Sequence, residues 1–368
     1  MVRKTFKLNC YLPKSLKVLV LASVVCLPIP SLADEVLATE KKLLQGLQSL
    51  QSLSMDQALT DFSELSEAHP NYKLVQLLKA DLLALKSGQK PLLDDIHKSN
   101  PRTVGRLTDE ADVRWQFSKS SLEDDIGFNN YVLKSAKQSH IVVVSLAESR
   151  LYLYQRNGLG QMQQVADYYV SMGRLGAGKE KEGDSRTPIG VYHVVDLLAD
   201  EELPDLYGVG ALPLNYPNKW DSEKGRTGSG IWLHGTPSDT YTRAPKASRG
   251  CVVLTNNAMQ KLLLEYQLPY ATPIVILEDT DLFLKQSEQK EVVLKEVKAW
   301  LSDNYVSVQW ESVSVYRYPN EDSLLYITFP AEAEGALVHQ YWQRGDDGSW
   351  KLVFESEEPV QIKTNIYS

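Results

Sequence analysis

Cysteine is scarce in this sequence, with three in 368 residues. Two of them, Cys10 and Cys26, fall in residues 1–33, which combine a basic start, a short apolar run and a small-residue end. That layout is typical of a signal peptide, here cleaved after Ala33. The residue before Cys26 is a valine rather than a small residue, so a lipid anchor is the weaker alternative. The mature chain would keep only Cys251, which then has no intramolecular disulfide partner in an oxidising compartment.

Basic residues are the minority charge. The chain has 39 lysines and arginines against 47 aspartates and glutamates, a net charge of -8. The predicted leader holds five basic residues and no acidic one, so the remainder has 34 against 47, a net charge of -13. Such an acidic chain is a poor partner for nucleic acid or for an anionic membrane surface. We therefore expect it to bind neither.

Long apolar runs and clustered metal ligands are also missing. The apolar run of the leader is too short to span a bilayer comfortably, and no later stretch approaches the roughly 20 apolar residues that a spanning helix needs. None of the six histidines has zinc-type spacing to another or to Cys251; they are His69, His97, His140, His193, His234 and His339. The sequence therefore predicts no membrane span and no metal site.

The sequence that remains predicts a multidomain α+β protein. Residues 34–138 begin with leucines spaced three and four apart and continue as a helical hairpin broken at Pro70. From residue 89 the periodicity weakens, which predicts a connection of short helices and loops. Ala58, Phe62 and Pro70 match tetratricopeptide spacing, but one repeat is too few for that architecture. A small helical packing or dimerisation domain is the preferred interpretation.

Strand-like patterns fill residues 139–279, where short apolar runs are separated by polar breaks. Residues 280–368 then hold an amphipathic helix, followed by segments that alternate at period two and a hairpin turn at "GDDGS". We predict a β-rich central domain and a C-terminal helix-plus-sheet domain.

One glycine-rich segment raises the possibility of a phosphate site. "GRLGAGKE", residues 173–180, matches the first part of a phosphate-binding loop that follows a strand. The match fails at Glu180, where a serine or threonine would hold magnesium and where a carboxylate would repel phosphate. The preferred interpretation is a charged loop over a site.

The residues around Cys251 include the parts of a nucleophilic site. His234 ends an apolar strand and is followed by a glycine, which allows the chain to turn tightly. Cys251 comes seventeen residues later, directly after Gly250. A nucleophilic thiol needs a nearby base, a group that orients the base, and N–H groups directed at the oxyanion. The alternative is a small buried hydrophobic residue, which free cysteines often are.

The segments "KEGDSRTPIGVY", "HGT" and "SRGC", in this order, resemble the L,D-transpeptidase catalytic domain, also called the YkuD-type domain. The resemblance covers about residues 140–278. In that family a strand-end histidine is followed by a loop, a Ser/Thr-His-Gly-Cys box, apolar residues and an asparagine. The matching residues are His234, Ser248, Gly250, Cys251 and Asn256. Arg249 replaces the histidine usual in the box, which leaves the base in place because the family's base is the earlier histidine.

The resemblance implies a role for each central residue. Cys251 is the nucleophile and His234 the base. The carbonyl of Gly235 orients the imidazole, and the N–H groups of Gly250 and Cys251 form the oxyanion hole. No metal or organic cofactor is implied.

The resemblance also suggests substrate contacts. Arg249 is expected to place a permanent cation beside the thiol, where it would favour thiolate or hold a substrate carboxylate. A solvated loop charge is an equal alternative for Arg243. Besides Arg249 and Arg243, the candidates for substrate binding are Ser248, Thr236, Arg186 and Thr187.

The implied reaction is attack by Cys251 on the L-centre carbonyl of meso-diaminopimelate in a peptidoglycan stem tetrapeptide, with loss of D-alanine and formation of a thioester. An amine of a second stem would then complete an L,D-transpeptidase reaction and a 3-3 cross-link. Water would instead give a tripeptide, the L,D-carboxypeptidase alternative, and a lysine of an envelope protein is a third acceptor. A peptidoglycan-binding scaffold without turnover is the non-enzymatic alternative.

The order of domains, with "HQYWQRGDDGSWKLVFE" in the tail, supports a weaker resemblance. It resembles the envelope proteins that trim stem peptides to set cell shape, whose tail is a nuclear-transport-factor-two-like cone of sheet and helix. With the predicted leader, this places the protein in the periplasm or cell envelope. The flanking domains are expected to control access, to bind an envelope partner or to form a homodimer.

Overall fold

The computed structural model describes residues 32–119, 126–199, 203–278, 290–305, 307–321, 323–332 and 335–359. Residues 1–31 of the predicted leader, with Cys10 and Cys26, lie outside this part of the chain. No helix within the described ranges is both long and apolar enough to cross a membrane.

The N-terminal region is helical, as the leucine spacing predicts. Its helices are α1 (Leu32–Gln51), α2 (Met55–Ala68), α3 (Lys73–Lys86), α4 (Leu92–Ser99), α5 (Pro101–Lys119) and the short α6 (Ile126–Tyr131). The hairpin around Pro70 is formed by α2 and α3, and Ala58 and Phe62 are fully buried in its core.

The prediction of short helices and loops from residue 89 is wrong for α5, which has 19 residues. Its buried face includes Glu110 and Arg114, which form an ion pair with each other. Because two of the three buried positions are charged, the apolar stripe is reduced to Val104, Leu107 and Ala111, which is a weak signal for helix prediction.

The central region is built on a five-stranded sheet. Its strands are β2 (His140–Ser145), β3 (Arg150–Arg156), β4 (Met162–Tyr169), β6 (Gly190–His193) and β12 (Pro273–Leu277), in the order β4-β3-β2-β12-β6. Both faces of β2 are buried: Val142 and Val144 face one apolar core, and Ile141 and Val143 face another. Burial on both faces explains why this strand is an unbroken apolar run rather than an alternating one.

Shorter strands lie beside this sheet. A four-stranded sheet has the order β11-β9-β8-β7 and consists of β7 (Leu198–Ala199), β8 (Gly210–Pro213), β9 (Trp232–His234) and β11 (Val252–Val253). A parallel pair is formed by β5 (Met172–Gly173) and β10 (Lys246–Ser248). The helices of this region are α7 (Lys219–Glu223) and α8 (Asn256–Gln260), and a π-helical turn (Lys261–Glu265) continues α8.

The C-terminal region packs a helix on an antiparallel sheet. Its elements are α9 (Lys290–Asn304), β13 (Ser314–Arg317), β14 (Leu324–Pro330), β15 (Ala336–Arg344) and β16 (Trp350–Pro359). An edge strand, β1 (Val132–Lys134), pairs with β13, although it comes from the region ahead of the central sheet. Val293 and Val297 of α9 pack on one face of this sheet, and Tyr316 and Tyr341 on the other face join the core that contains Val143. The mixed α+β architecture is confirmed, while the nuclear-transport-factor-two-like assignment and the domain boundaries stay predictions.

The doubly buried sheet predicts a large cost for truncating β12. Ile276 is fully buried, so Ile276→Ala should lower the free energy of unfolding by about 2–5 kcal/mol. Val165 on β4 is 41% exposed, and Val165→Ala should change it by less than about 0.5 kcal/mol. Urea denaturation followed by tryptophan fluorescence measures both, and equal midpoints for the two variants would contradict the described packing.

Candidate active site

The short parallel pair of β9 and β11 sets the position of Cys251 relative to His234. Val253 pairs in register with His234. Cys251, two residues before Val253, therefore lies beside Trp232, two residues before His234. Side chains two residues apart share a face of a strand, and in-register neighbours share a face of the sheet. The register thus brings the thiol and the imidazole to the same face.

The His234 imidazole is held in one tautomer. Its Nδ1 lies 2.7 Å from the carbonyl oxygen of Gly235, and because a carbonyl only accepts, Nδ1 carries the proton. The lone pair is then on Nε2. Burial, helped by the charge of Arg243, lowers the pKa of His234 to about 4 against the opposing effect of the Gly235 carbonyl. The imidazole is therefore neutral at neutral pH, the form that a base requires.

Asn256 at the start of α8 fastens the turn after His234. Its Oδ1 accepts hydrogen bonds from the N–H groups of Thr236 at 3.0 Å and Val209 at 3.3 Å. A Cβ atom at Gly235 would collide with the same oxygen. The glycine after the histidine is therefore required by the close approach of Asn256.

Cys251 is a partly exposed free cysteine. Its thiol donates to the carbonyl oxygen of Gly230 at 3.3 Å. Burial raises the pKa of the thiol, while the main-chain N–H of Trp232 and the charges of Arg243 and Lys179 act in the opposite direction. Because the pKa stays above that of a free thiol, Cys251 is protonated at neutral pH.

The cation beside the thiol is not the one that the sequence predicts. Arg249 is exposed, since it follows the inward-facing Ser248, and the cations that lower the pKa of Cys251 are Arg243 and Lys179. Arg243 is half-buried, and its guanidinium donates to the carbonyl oxygen of Leu206 at 3.5 Å. Its charge acts on both the thiol and the imidazole, which favours the substrate contact over the solvated-charge interpretation of Arg243.

Lys179 comes from the glycine-rich segment and was missed as a site residue. It is buried, and its Nζ donates to Asp184 Oδ1 at 2.8 Å and to the carbonyl oxygen of Lys181 at 3.0 Å. Its Cε lies against Gly228, two residues before Gly230, whose carbonyl accepts from the thiol. The segment is a charged loop at the site, as preferred over the phosphate interpretation. Its signal in the sequence was a lysine close to the "GDSRTP" segment.

Thr187 and Ser248 fasten the backbone that precedes Cys251. Thr187 Oγ1 donates to the Gly250 carbonyl and accepts from the Gly173 N–H, both at 2.9 Å. Ser248 Oγ donates to the Cys251 carbonyl at 2.6 Å and accepts from the Gly250 N–H at 3.0 Å. The Gly250 N–H predicted for the oxyanion hole is therefore already engaged, which leaves the Cys251 N–H as the predicted donor.

The predicted substrate contacts thus divide into two groups. One group is buried and donates to main-chain carbonyls, so its hydroxyls stabilise the backbone of the site; it consists of Ser248, Thr187 and Thr236. Arg186 and Arg249 are exposed, and the guanidinium of Arg186 donates to the Ala177 carbonyl at 2.7 Å. No cluster of three or more histidines, cysteines and carboxylates suited to a metal occurs within the described ranges.

The central region has a known family. Residues 139–276 match the family model of YkuD, the L,D-transpeptidase catalytic domain. The resemblance noted in the sequence is confirmed, and the chain carries a YkuD domain of the L,D-transpeptidase type. No curated protein matches the chain.

Solved structures give distant likenesses. Bd1075 of Bdellovibrio bacteriovorus is 20% identical with a TM-score of 0.46, over 62% of this chain and 98% of that one. The helical cell shape determining protein Pgp2 of Campylobacter jejuni is 21% identical with a TM-score of 0.47, over 63% and 96%. An L,D-transpeptidase of Xylanimonas cellulosilytica is 21% identical with a TM-score of 0.25, over 39% and 62%. The family assignment rests on the match of residues 139–276.

The raised pKa of the thiol predicts how Cys251 reacts in the free protein. Only thiolate is alkylated, and below the pKa its fraction grows about tenfold with each pH unit. Alkylation of Cys251 by iodoacetamide should therefore rise continuously from pH 6 to 8, as read by peptide mass spectrometry. A rate that is already level in this range would show a preformed thiolate and contradict the neutral pair.

The bonds of Thr187 predict a structural role for its hydroxyl. Thr187→Val leaves the Gly250 carbonyl and the Gly173 N–H buried without that partner, which should cost about 1–3 kcal/mol of unfolding free energy. Thr187→Ser keeps the hydroxyl and should retain most of the stability. Thermal denaturation compares the two, and equal losses would show that the methyl group matters more than the hydrogen bonds.

Proposed function

We propose that the protein is a peptidoglycan L,D-transpeptidase-family enzyme in which Cys251 is the nucleophile and His234 the base. The observation that carries the proposal is the hydrogen bond from His234 Nδ1 to the Gly235 carbonyl. His234 ends β9, which pairs in parallel with β11, the strand that directly follows Cys251. This arrangement leaves a basic Nε2 on the face of the thiol. A neutral imidazole and a partly exposed thiol are the reactants of general-base nucleophilic catalysis.

The first half-reaction begins with both groups neutral. The Cys251 sulfur attacks the L-centre carbonyl carbon of meso-diaminopimelate while its proton passes to His234 Nε2. The Cys251 N–H stabilises the oxyanion that forms. The imidazolium then returns the proton to the amine of D-alanine as the C–N bond breaks, which leaves a thioester.

The second half-reaction determines the product. A side-chain amine of a second stem attacks the thioester, loses its proton to His234, and forms an amide as the thiol is released. The product is a 3-3 cross-link. Attack by water at the same thioester gives a tripeptide and a free carboxyl group, so the first half-reaction is shared with the L,D-carboxypeptidase alternative.

Arg243 is the substrate-binding residue that the geometry supports. Its guanidinium is half-buried and its charge acts on both Cys251 and His234, which supports a role for Arg243 in binding the leaving D-alanine. A guanidinium pairs well with a carboxylate, and the D-alanine of a tetrapeptide ends in one.

The site of action that fits this reaction is the cell envelope, because L,D-transpeptidase-family members act on peptidoglycan there. The periplasm is the compartment that agrees with the predicted signal peptide. The predicted homodimer or envelope partner of the flanking domains remains a prediction.

The test is turnover of purified disaccharide-tetrapeptide, with products identified by mass spectrometry. Cross-linked dimer and free D-alanine are expected, whereas tripeptide monomer alone would establish the carboxypeptidase alternative. Cys251→Ala should abolish turnover, and His234→Gln should slow it by about 10²–10⁴-fold.

Two controls make the result specific. Arg243→Gln should raise KM for the tetrapeptide more than it lowers kcat, because it removes a binding charge. Absence of any product, or equal turnover by Cys251→Ala, would refute the assignment and favour a binding scaffold.

A further inference from the structure

We infer that the N-terminal helical region holds in place the loop that carries Arg243, with Tyr241 and Arg114 as positioning residues. The loop, residues 236–245, connects β9 to β10 and is called the 236–245 loop here. The inference rests on the proposed function for its role in catalysis, but its structural content is independent of any substrate.

Tyr241 fixes the 236–245 loop to the helices through its ring. The ring lies 4.3 Å from that of His69 and 4.6 Å from that of Tyr72, measured between centroids, and it packs against the helical core that contains Phe62. At the other end of the turn, Thr236 Oγ1 donates to the Tyr241 carbonyl at 3.4 Å. The 236–245 loop therefore packs one aromatic side chain, that of Tyr241, against the core of the N-terminal helices.

Asn71, between α2 and α3, bonds to the main chain of the same loop. Its Nδ2 donates to the Ser238 carbonyl at 3.1 Å, and its carbonyl accepts from the Tyr241 N–H at 3.4 Å. These bonds fix the backbone on both sides of the loop's tip.

Arg114 of α5 reaches the part of the loop that adjoins Arg243. Its guanidinium stacks on the ring of Tyr169 at 3.8 Å and donates to Thr242 Oγ1 at 3.3 Å. The Tyr169 hydroxyl in turn donates to the Arg243 carbonyl at 2.9 Å. Arg114 thus contacts the side chain of Thr242 directly and reaches the Arg243 backbone through Tyr169.

Arg114 is itself tightly held. It is buried between the carboxylates of Glu40 and Glu110, to which it bonds. Burial raises the pKa of Glu110 to about 7 in spite of the guanidinium. Removing Arg114 would leave the buried Glu110 without its cation and Glu40 paired only with Arg150, so that substitution tests folding more than positioning.

The consequence for the site is electrostatic. The charged groups that act on the Cys251 thiol are Arg243 and Lys179, and Lys179 is held by Asp184 without any part of the 236–245 loop. Releasing the loop should therefore remove the effect of Arg243 alone. The thiol would be less acidic and would be alkylated more slowly.

The test measures alkylation of Cys251 by iodoacetamide at pH 7 in the intact protein. Tyr241→Ala and Arg243→Gln should each slow the reaction by about three- to tenfold, since each removes one nearby positive charge from the thiol. In the double variant, the rate should equal that of Arg243→Gln. Tyr241→Phe keeps the ring and should recover most of the rate, and Leu83→Ala, at an exposed position of α3, should not change it.

The double variant separates positioning from general destabilisation. An unchanged rate in Tyr241→Ala, or effects of the two substitutions that multiply, would overturn the inference. Should Tyr241→Ala fail to fold by circular dichroism, Asn71→Ala removes the bond to Ser238 and should slow alkylation in the same direction. Because alkylation needs no peptidoglycan, lack of turnover on tetrapeptide would refute the proposed function and leave this result standing.

Discussion

The parallel pairing of β9 with β11 is the interaction on which the site depends. Isolated short strand pairs are not stable in water, and β11 has only two residues, so this register must be held from outside. Asn256 secures the turn after His234, while Thr187 and Ser248 secure the backbone before Cys251. Each of these side chains bonds to main-chain atoms. The distance between the thiol and the imidazole therefore depends on three segments that are separate in the sequence.

A sheet buried on both faces supplies the rigid base for those segments. One face of β2 and β12 packs into the core of the YkuD domain, and the other packs against tyrosines of the C-terminal sheet. The C-terminal region therefore covers an apolar face that would otherwise be exposed to water. The role of the C-terminal region in this packing is structural. Its sheet also includes β1, which precedes the central sheet in the sequence and pairs with β13.

The sequence was most informative where the chemistry is local. His234, Gly235 and Cys251 lie within short motifs, and their relation in the structure follows from local turns and one strand pairing. The strands were predictable because most of them are apolar runs. The charge at the thiol could not be predicted, because whether Arg243 or Arg249 faces it depends on the path of a loop that bonds to distant helices. The engagement of the Gly250 N–H depended on one rotamer of Ser248, which spacing does not reveal. The length of helix α5 was missed because its buried face mixes the charged Glu110 and Arg114 with few apolar residues.

Burial explains both perturbed groups of the site and connects them to the mechanism. It raises the pKa of Cys251 and lowers that of His234, so it disfavours the charged form of each. A neutral pair avoids placing two charges in a buried site of the free protein. The consequence is that only a small fraction of Cys251 is thiolate. In the proposed mechanism, charge develops at the site only as the sulfur attacks, when the Cys251 N–H can stabilise the oxyanion, while a cation binds the carboxylate of the leaving D-alanine. A cation that serves this step must be held in advance. Tyr169 bonds to the Arg243 carbonyl, and Asn71 and the ring of Tyr241 hold the preceding residues of the 236–245 loop against the helices.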